Sequence, residues 1–348
     1  MAYLIRPIER HLKRHLTSEL GRRRFDRAKR FVDGAVLGGD VEAVHRVNAR
    51  WLKFLCSRTP VQTEVWPEEA EFLRGFATAF GLPPAERRQF LGLSLLGRRW
   101  RELCFADLWK EPHLVARLTR VTGWEHFDRC RQDGTGLILL PVHGQFARLF
   151  RLYLRHRGHD GLEVGLPSHK LEKKGFHTPA AKQFELARQM HAAKQLLAAG
   201  GIVFNLPDAF QNLDHSRSVE FFGRQRRIAA GFAELALMTG AHVVPTAYRF
   251  TARGSFVLEF GPPLHVLGPE STHDERVDLL VGQFADFLRA EWRLYPWNIP
   301  WHHLVQYCTM PEVDSGALGE KAISQRASSS AESAPNASVP GYLNIIQF

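Results

Sequence analysis

The sequence predicts an α/β fold, a largely parallel central sheet flanked by helices with a helical N-terminal region. Three observations point there. Hydrophobic spacing is helical up to about residue 125. From Gly134 onward short apolar runs alternate with helical patterns. The run Leu137-Ile138-Leu139-Leu140-Pro141-Val142 is apolar throughout, as a strand buried on both faces must be. Strands alternating with helices favour parallel pairing, because each helix carries the chain back to the same end of the sheet.

The elements follow in order. Residues 1–30 hold ten Lys or Arg against three Asp or Glu. Leu4, Ile5, Ile8, Leu12 and Leu16 recur at helical spacing, with Arg6, Arg10, Lys13 and Arg14 between them. That stretch reads either as a basic amphipathic helix on an anionic surface or as a solvated helix packed on the domain behind it. Val44, Val47, Trp51, Leu52 and Leu55 form a second apolar face, and Phe72, Leu73, Phe76 and Phe80 another. Leu82-Pro83-Pro84-Ala85-Glu86 interrupts the pattern and restarts it, since proline is at home in a first helical turn. A third helical stretch runs through Phe90 and Leu93 to Leu103.

After the strand at 137–142 come a helix near 146–157, a strand at 162–166, a helix near 179–199 and a strand at 202–206. A helix at 228–239, strands at 243–248 and 256–260, and a helix near 273–293 complete the series. The aromatic Trp292, Tyr295, Trp297 and Trp301 follow. Beyond about residue 311 Ser, Ala and Pro dominate without periodicity, and disorder is expected. The expected organisation is a basic helical region over 1–67, an α/β domain over 68–310 and a tail over 311–348.

The formal charge is +10, which favours a polyanionic partner: phospholipid head groups, a phosphorylated substrate or nucleic acid. No helix-turn-helix, zinc finger or stacked-aromatic strand supports nucleic acid. Cys56, Cys104, Cys130 and Cys308 form no Cys-x-x-Cys pair and read as thiols of a reducing compartment. No uninterrupted apolar stretch approaches the roughly 20 residues that span a bilayer, so membrane contact is expected to be peripheral. Phosphate-loop, nucleophile-elbow and zinc-helix signatures are absent. His302 and His303 are adjacent rather than helix-spaced, and no metal site is expected there.

His143 stands just past the first buried strand, at a sheet rim where α/β proteins hold ligands. A neutral imidazole takes a proton from an alcohol or amine as that group attacks an acyl donor. The competing reading is a hydrogen-bonded structural histidine. Asp208 follows the strand at 202–206 and is either a partner for that chemistry or a turn cap. Phe221-Phe222-Gly223-Arg224-Gln225-Arg226-Arg227 precedes the expected helix at 228–239, whose first amides attract an anion. Clustered arginines bind phosphate by paired hydrogen bonds, unless this cluster is a solvated loop. Together these pieces fit acyl transfer onto a phosphorylated acceptor.

Taken in order, Gly136–His143, Val219-Glu220-Phe221-Phe222-Gly223-Arg224 and Leu235-Ala236-Leu237-Met238-Thr239-Gly240-Ala241-His242-Val243-Val244-Pro245 resemble a known family. It is the bacterial lipid A late acyltransferases, the lauroyl and myristoyl transferases of the lysophospholipid acyltransferase superfamily. The likeness covers roughly residues 68 to 305 and includes Gly123-Trp124-Glu125-His126-Phe127. Asp208 falls where that family carries an acidic residue after the third strand. The resemblance implies a thioester co-substrate, acyl-carrier protein or coenzyme A, with no bound cofactor. It also implies a membrane lipid or glycolipid acceptor, His143 as general base, and a place on the cytoplasmic face of the bacterial inner membrane.

The family motif is His-x4-Asp/Glu, and here Arg148 holds its acidic position. The arginine usual after Val164 is replaced by Gly165-Leu166-Pro167-Ser168-His169-Lys170, where Lys170 supplies charge without a bidentate fork. The membrane-spanning N-terminal helix common in the family is missing, leaving the basic stretch. Three accounts stay open. The chain is an active transferase with His143 oriented by another carboxylate, Asp208 first; or it moves an unusual acyl group or uses an amine acceptor; or it is a catalytically silent relative that binds lipid or carrier protein. The expected site is His143 with Asp208 as the catalytic pair, and Gly144, Gln145, Arg148, Lys170, Gly223, Arg224 and Arg226 on the substrate side.

Overall fold

The computed structural model describes residues 67–103, 112–164, 179–208, 215–251 and 255–311, together with 42, 46 and 49. The basic amphipathic stretch, the helical face around Trp51, Lys170 and the tail beyond 311 lie outside the described residues.

Helices α1 (Pro67–Ala79), α2 (Pro84–Leu103) and α3 (Pro112–Leu118) each begin at a proline. Its fixed φ suits the first turn, and its missing N–H has no intrahelical partner to lose there. Strand β1 (Thr119–Thr122) and helix α4 (Trp124–Gln132) lead to β2 (Leu137–Pro141). Then follow α5 (Ala147–His156), β3 (Leu162–Val164), α6 (Pro179–Ala198) and β4 (Ile202–Asn205). A hairpin of β5 (Ser216–Phe221) and β6 (Arg224–Ala229) precedes α7 (Gly231–Thr239). The chain continues through β7 (His242–Phe250), β8 (Phe256–Phe260), α8 (His273–Leu294), a 3-10 turn at Pro296–Asn298, and α9 (Trp301–Thr309).

Six strands form one sheet in the order β1-β8-β7-β2-β4-β3. All neighbours are parallel except β7 and β8. Those two are joined by a connection far shorter than the dozen residues a parallel crossover needs, so β8 turns back. The α/β class and the mostly parallel sheet are as the sequence predicts. β2 lies in the middle with all five residues buried, and β4 beside it has all four buried. Each buried Leu, Ile, Val or Phe among them contributes about 1.5–3 kcal/mol of hydrophobic stabilisation. At the entry to β2 a Cβ on Gly136 would stand 2.4 Å from the Leu197 carbonyl of α6, so only glycine lets this strand lie against that helix.

Three local features differ from the sequence reading. β1, with one apolar residue in four, sits inside what reads as continuous helix. The helix expected at 228–239 begins only at Gly231, because the arginine-rich segment before it is a strand. β5 and β6 pair from Phe221↔Arg224 outward through a two-residue turn in which Phe222 and Gly223 have φ of 54° and 75°. That geometry matches the right-handed strand twist. α9 follows the aromatic cluster directly. The start of α8 is a capping box: the Thr272 hydroxyl accepts from the Glu275 amide, and Glu275 accepts from the Thr272 amide.

Among the described residues no helix is long and apolar enough to cross a membrane, and no three His, Cys, Asp or Glu side chains group to hold a metal ion.

Candidate active site

β2 and β4 are adjacent and parallel, with Leu139 registered against Phe204. His143 and Asp208 each lie four residues beyond that pair. Parallel neighbours run about 4.8 Å apart, so side chains leaving both strand ends at one level meet. The contact is double. Asp208 Oδ2 accepts the His143 backbone N–H at 2.9 Å, and Asp208 Oδ1 lies 2.9 Å from His143 Nδ1. The Asp208 side chain is wholly buried, whereas 24% of the His143 side chain is exposed. Burial alone would push the Asp208 carboxyl up. The charge and hydrogen bond of His143 when it is protonated, with the Arg226 charge behind, outweigh burial and hold the carboxyl well below the usual carboxylate range.

An ionised Asp208 accepts but does not donate, so the Nδ1 of His143 carries a proton, and in the neutral imidazole the lone pair is then on Nε2. That is the tautomer of a general base. Beside His143 opens a small, shallow cleft walled by Val142, Tyr248, Arg249, Glu291, Trp292 and Tyr295.

Behind the pair lies a second layer. Arg226, an inward position of β6, has no exposed surface, and its guanidinium sits 4.6 Å over Phe221 and 4.9 Å over Trp292. His303, on the first turn of α9, is also buried, with its ring 4.9 Å from that of His143. On the cleft side Arg249 donates to Glu291 through Nε at 2.7 Å and again through Nη2, and to Glu259 through Nη1 at 2.6 Å. Burial opposes the Arg249 charge, but the two glutamates hold its pKa above the usual value. Burial pushes Glu291 up, against its hydrogen bonds from Arg249.

The other expected residues separate. Gly144 stays beside the cleft, where a Cβ would lie 3.3 Å from the Tyr248 carbonyl. Gln145 braces the turn at Pro296–Asn298: its backbone N–H donates to the Asn298 carbonyl at 2.9 Å and its Nε2 to the Trp297 carbonyl at 2.8 Å. Arg148 is exposed at the second position of α5 and pairs with no carboxylate among the described residues. Gly223 and Arg224 belong to the hairpin tip, where Arg224 donates to the Met310 carbonyl at 2.7 Å and lies over the Tyr307 ring. Arg226, expected on the substrate side, is buried, and its partners include the Asp208 carbonyl and His303. The helix expected directly after the arginines starts at Gly231, because the arginines themselves lie in strand β6.

The sequence reading passed over His303, Trp292 and Glu291 as site residues. The aromatic density at 292–301 and the adjacent His302 and His303, weighed only as metal ligands, marked that region.

The chain matches the family model of the bacterial lipid A biosynthesis acyltransferases over residues 63–295. It is 26% identical over 209 residues to the phosphatidylinositol mannoside acyltransferases of two Mycobacterium tuberculosis strains, an alignment covering 52% of this chain. The chain spans 61% of the length of these relatives.

Proposed function

This chain belongs to the bacterial lipid A biosynthesis acyltransferase family, and from that premise we propose that it moves an acyl group from a thioester to a lipid. The donor is acyl-carrier protein or coenzyme A, and the acceptor is a hydroxyl or amine of a membrane lipid or glycolipid. The relatives' names, which specify a mannosylated phospholipid acceptor, favour a glycolipid. The formal charge of +10 suits peripheral work at an anionic membrane face.

His143 is the general base in this reading. Its Nε2 takes the proton of the acceptor hydroxyl as that oxygen attacks the thioester carbonyl. The imidazolium so formed is held by Asp208 at Nδ1. The tetrahedral intermediate then collapses, the carbon–sulfur bond breaks, and the imidazolium returns its proton to the departing thiolate. Free thiol and acylated lipid leave, and the base is restored.

The observation that carries this reading is the 2.9 Å contact between Asp208 Oδ1 and His143 Nδ1, in a chain whose family motif places Arg148 where the acid belongs. The test is to incubate purified protein with isotope-labelled acyl-carrier protein or acyl-CoA and total lipid extract. Mass spectrometry then looks for a new acylated lipid, which His143→Ala must abolish while the fold persists. Wild-type rates in His143→Ala would remove it from the mechanism. A lipid-binding relative without turnover is the second reading, favoured by the exposed cation of Arg148 in the acid's place. Saturable liposome binding with no acyl adduct would select it.

A further inference from the structure

Arg226 and His303 lie outside the chemistry just described, yet both are buried against it. A guanidinium presents donors only, with no acceptor atom. Arg226 Nη2 lies 3.2 Å from the main-chain carbonyl of Asp208 and 3.3 Å from Nδ1 of His303. Its two hydrogens serve both contacts, and the second requires an unprotonated Nδ1. His303 is therefore a neutral imidazole with its proton on Nε2. Burial, seconded by the charge of Arg226 and opposed by Asp208, holds its pKa well below the ordinary histidine value. Arg226 itself is drawn down by burial to about 10 and stays charged at neutral pH, with Asp208 opposing the shift.

Two elements of His143 are thereby traced to one group. Its ring edge is held at Nδ1 by Asp208, and its ring face is covered by His303 at 4.9 Å with the planes 33° apart. His302 stands 6.2 Å away at 86° and meets the ring edge-on. The residue fixing the edge and the residue covering the face are each tied to Arg226, which is clamped between Phe221 and Trp292.

We propose that Arg226 and His303 are positioning residues of the active site: Arg226 anchors the Asp208 turn by its carbonyl and orients His303, and these two together lock the plane and tautomer of the His143 ring. This rests on His143 acting as the base. Neither residue touches substrate. Keeping His303 neutral also leaves His143 as the imidazole on which the positive charge of the reaction forms.

The experiment compares His303→Leu with His303→Asn, whose side-chain oxygen stands near the Nδ1 position and still accepts from Arg226. Arg226→Lys is the companion variant, because it keeps the charge and loses the fork. The first readout needs no substrate: nitrogen NMR of 15N-histidine-labelled protein at neutral pH, with thermal melts to establish folding. In wild type the two His143 nitrogens are expected to report one tautomer. In His303→Leu and Arg226→Lys they are expected to move toward the average of two, and in His303→Asn to return. The second readout is turnover with acyl-CoA, where His303→Leu is expected to lower kcat by about tenfold to a hundredfold with KM little changed, and His303→Asn to recover most of it.

Unchanged His143 signals in both folded His303→Leu and Arg226→Lys would overturn the proposal. So would equal kcat loss in His303→Leu and His303→Asn. A wild type that turns over no donor would defeat the catalytic reading alone, because the NMR comparison still decides whether these residues position the ring.

Discussion

Replacing Asp208 by asparagine tests the site at its narrowest point. The carboxylate accepts two hydrogen bonds from one residue, the backbone N–H and the Nδ1–H of His143, both at 2.9 Å. An amide of the same shape has one acceptor oxygen and one donor nitrogen. The backbone N–H cannot become an acceptor, so the oxygen turns to it and the NH2 faces the ring. Nδ1 must then accept, the proton moves to Nε2, and that nitrogen loses the lone pair the proposed base needs. The same exchange in a Ser-His-Asp triad costs about 10⁴-fold in kcat, about 5.5 kcal/mol of transition-state stabilisation. A comparable fall is expected here, measured as thiol released from acyl-CoA in the presence of acceptor lipid, with KM little changed.

The exchange also has a pH signature in stability. The Asp208 pKa is depressed in the folded protein, so its contribution is fully present above the unfolded carboxylate value of about 3.9 and is lost as pH falls through the folded value. Urea unfolding of Asp208→Asn should therefore lack part of the acid-side decline seen in wild type below about pH 4. A folded Asp208→Asn protein turning over within tenfold of wild type would refute the reasoning.

Further outcomes follow from other contacts. Arg148→Glu rebuilds the family motif, but Asp208 already occupies Nδ1; the expected result is a severalfold rise in KM for an anionic substrate with no gain in kcat, and a gain would show that Asp208 does not fill the acid's role. Arg249→Met strands Glu291 in the cleft wall and should destabilise by about 3–5 kcal/mol at neutral pH. Because burial already raises the Glu291 pKa, that loss should shrink as pH falls and the carboxyl takes up a proton, and Arg249→Met with Glu291→Leu should recover most of it in urea melts. Gly223→Val forces a β-branched side chain to φ 75° in the hairpin turn, with an expected loss of about 1–2 kcal/mol readable as a drop in Tm. No drop would show that the turn relaxes.

Much of the sheet is legible because its strands obey simple rules. Leu137–Pro141 and residues 202–204 are apolar throughout because both faces are covered, and the chain positions just past them are where side chains emerge. His143 and Asp208 were nameable for that reason. Their register was not, since pairing between β2 and β4 depends on residues far apart in sequence. The β5–β6 hairpin was hidden by its own residues. The inward positions of β6 include Arg226 where a period-two pattern needs an apolar residue, and its turn uses Phe222-Gly223 rather than Asn-Gly or Asp-Gly. A buried arginine in a strand therefore reads as a charged loop. His303 escaped because adjacent histidines were weighed only as metal ligands, whereas its partners are a guanidinium and another imidazole.

Asp208 and His143 are separated by 65 positions and are brought level by β2–β4 pairing. A carboxylate one turn along the same helix travels with its histidine whenever that segment moves. Here the two come from different strands, so loosening the middle of the sheet parts them even if each local segment keeps its shape. Turnover should then vanish in step with amide-exchange protection at Ile138 and Val203, making the reaction itself a gauge of whether the centre of the molecule is closed.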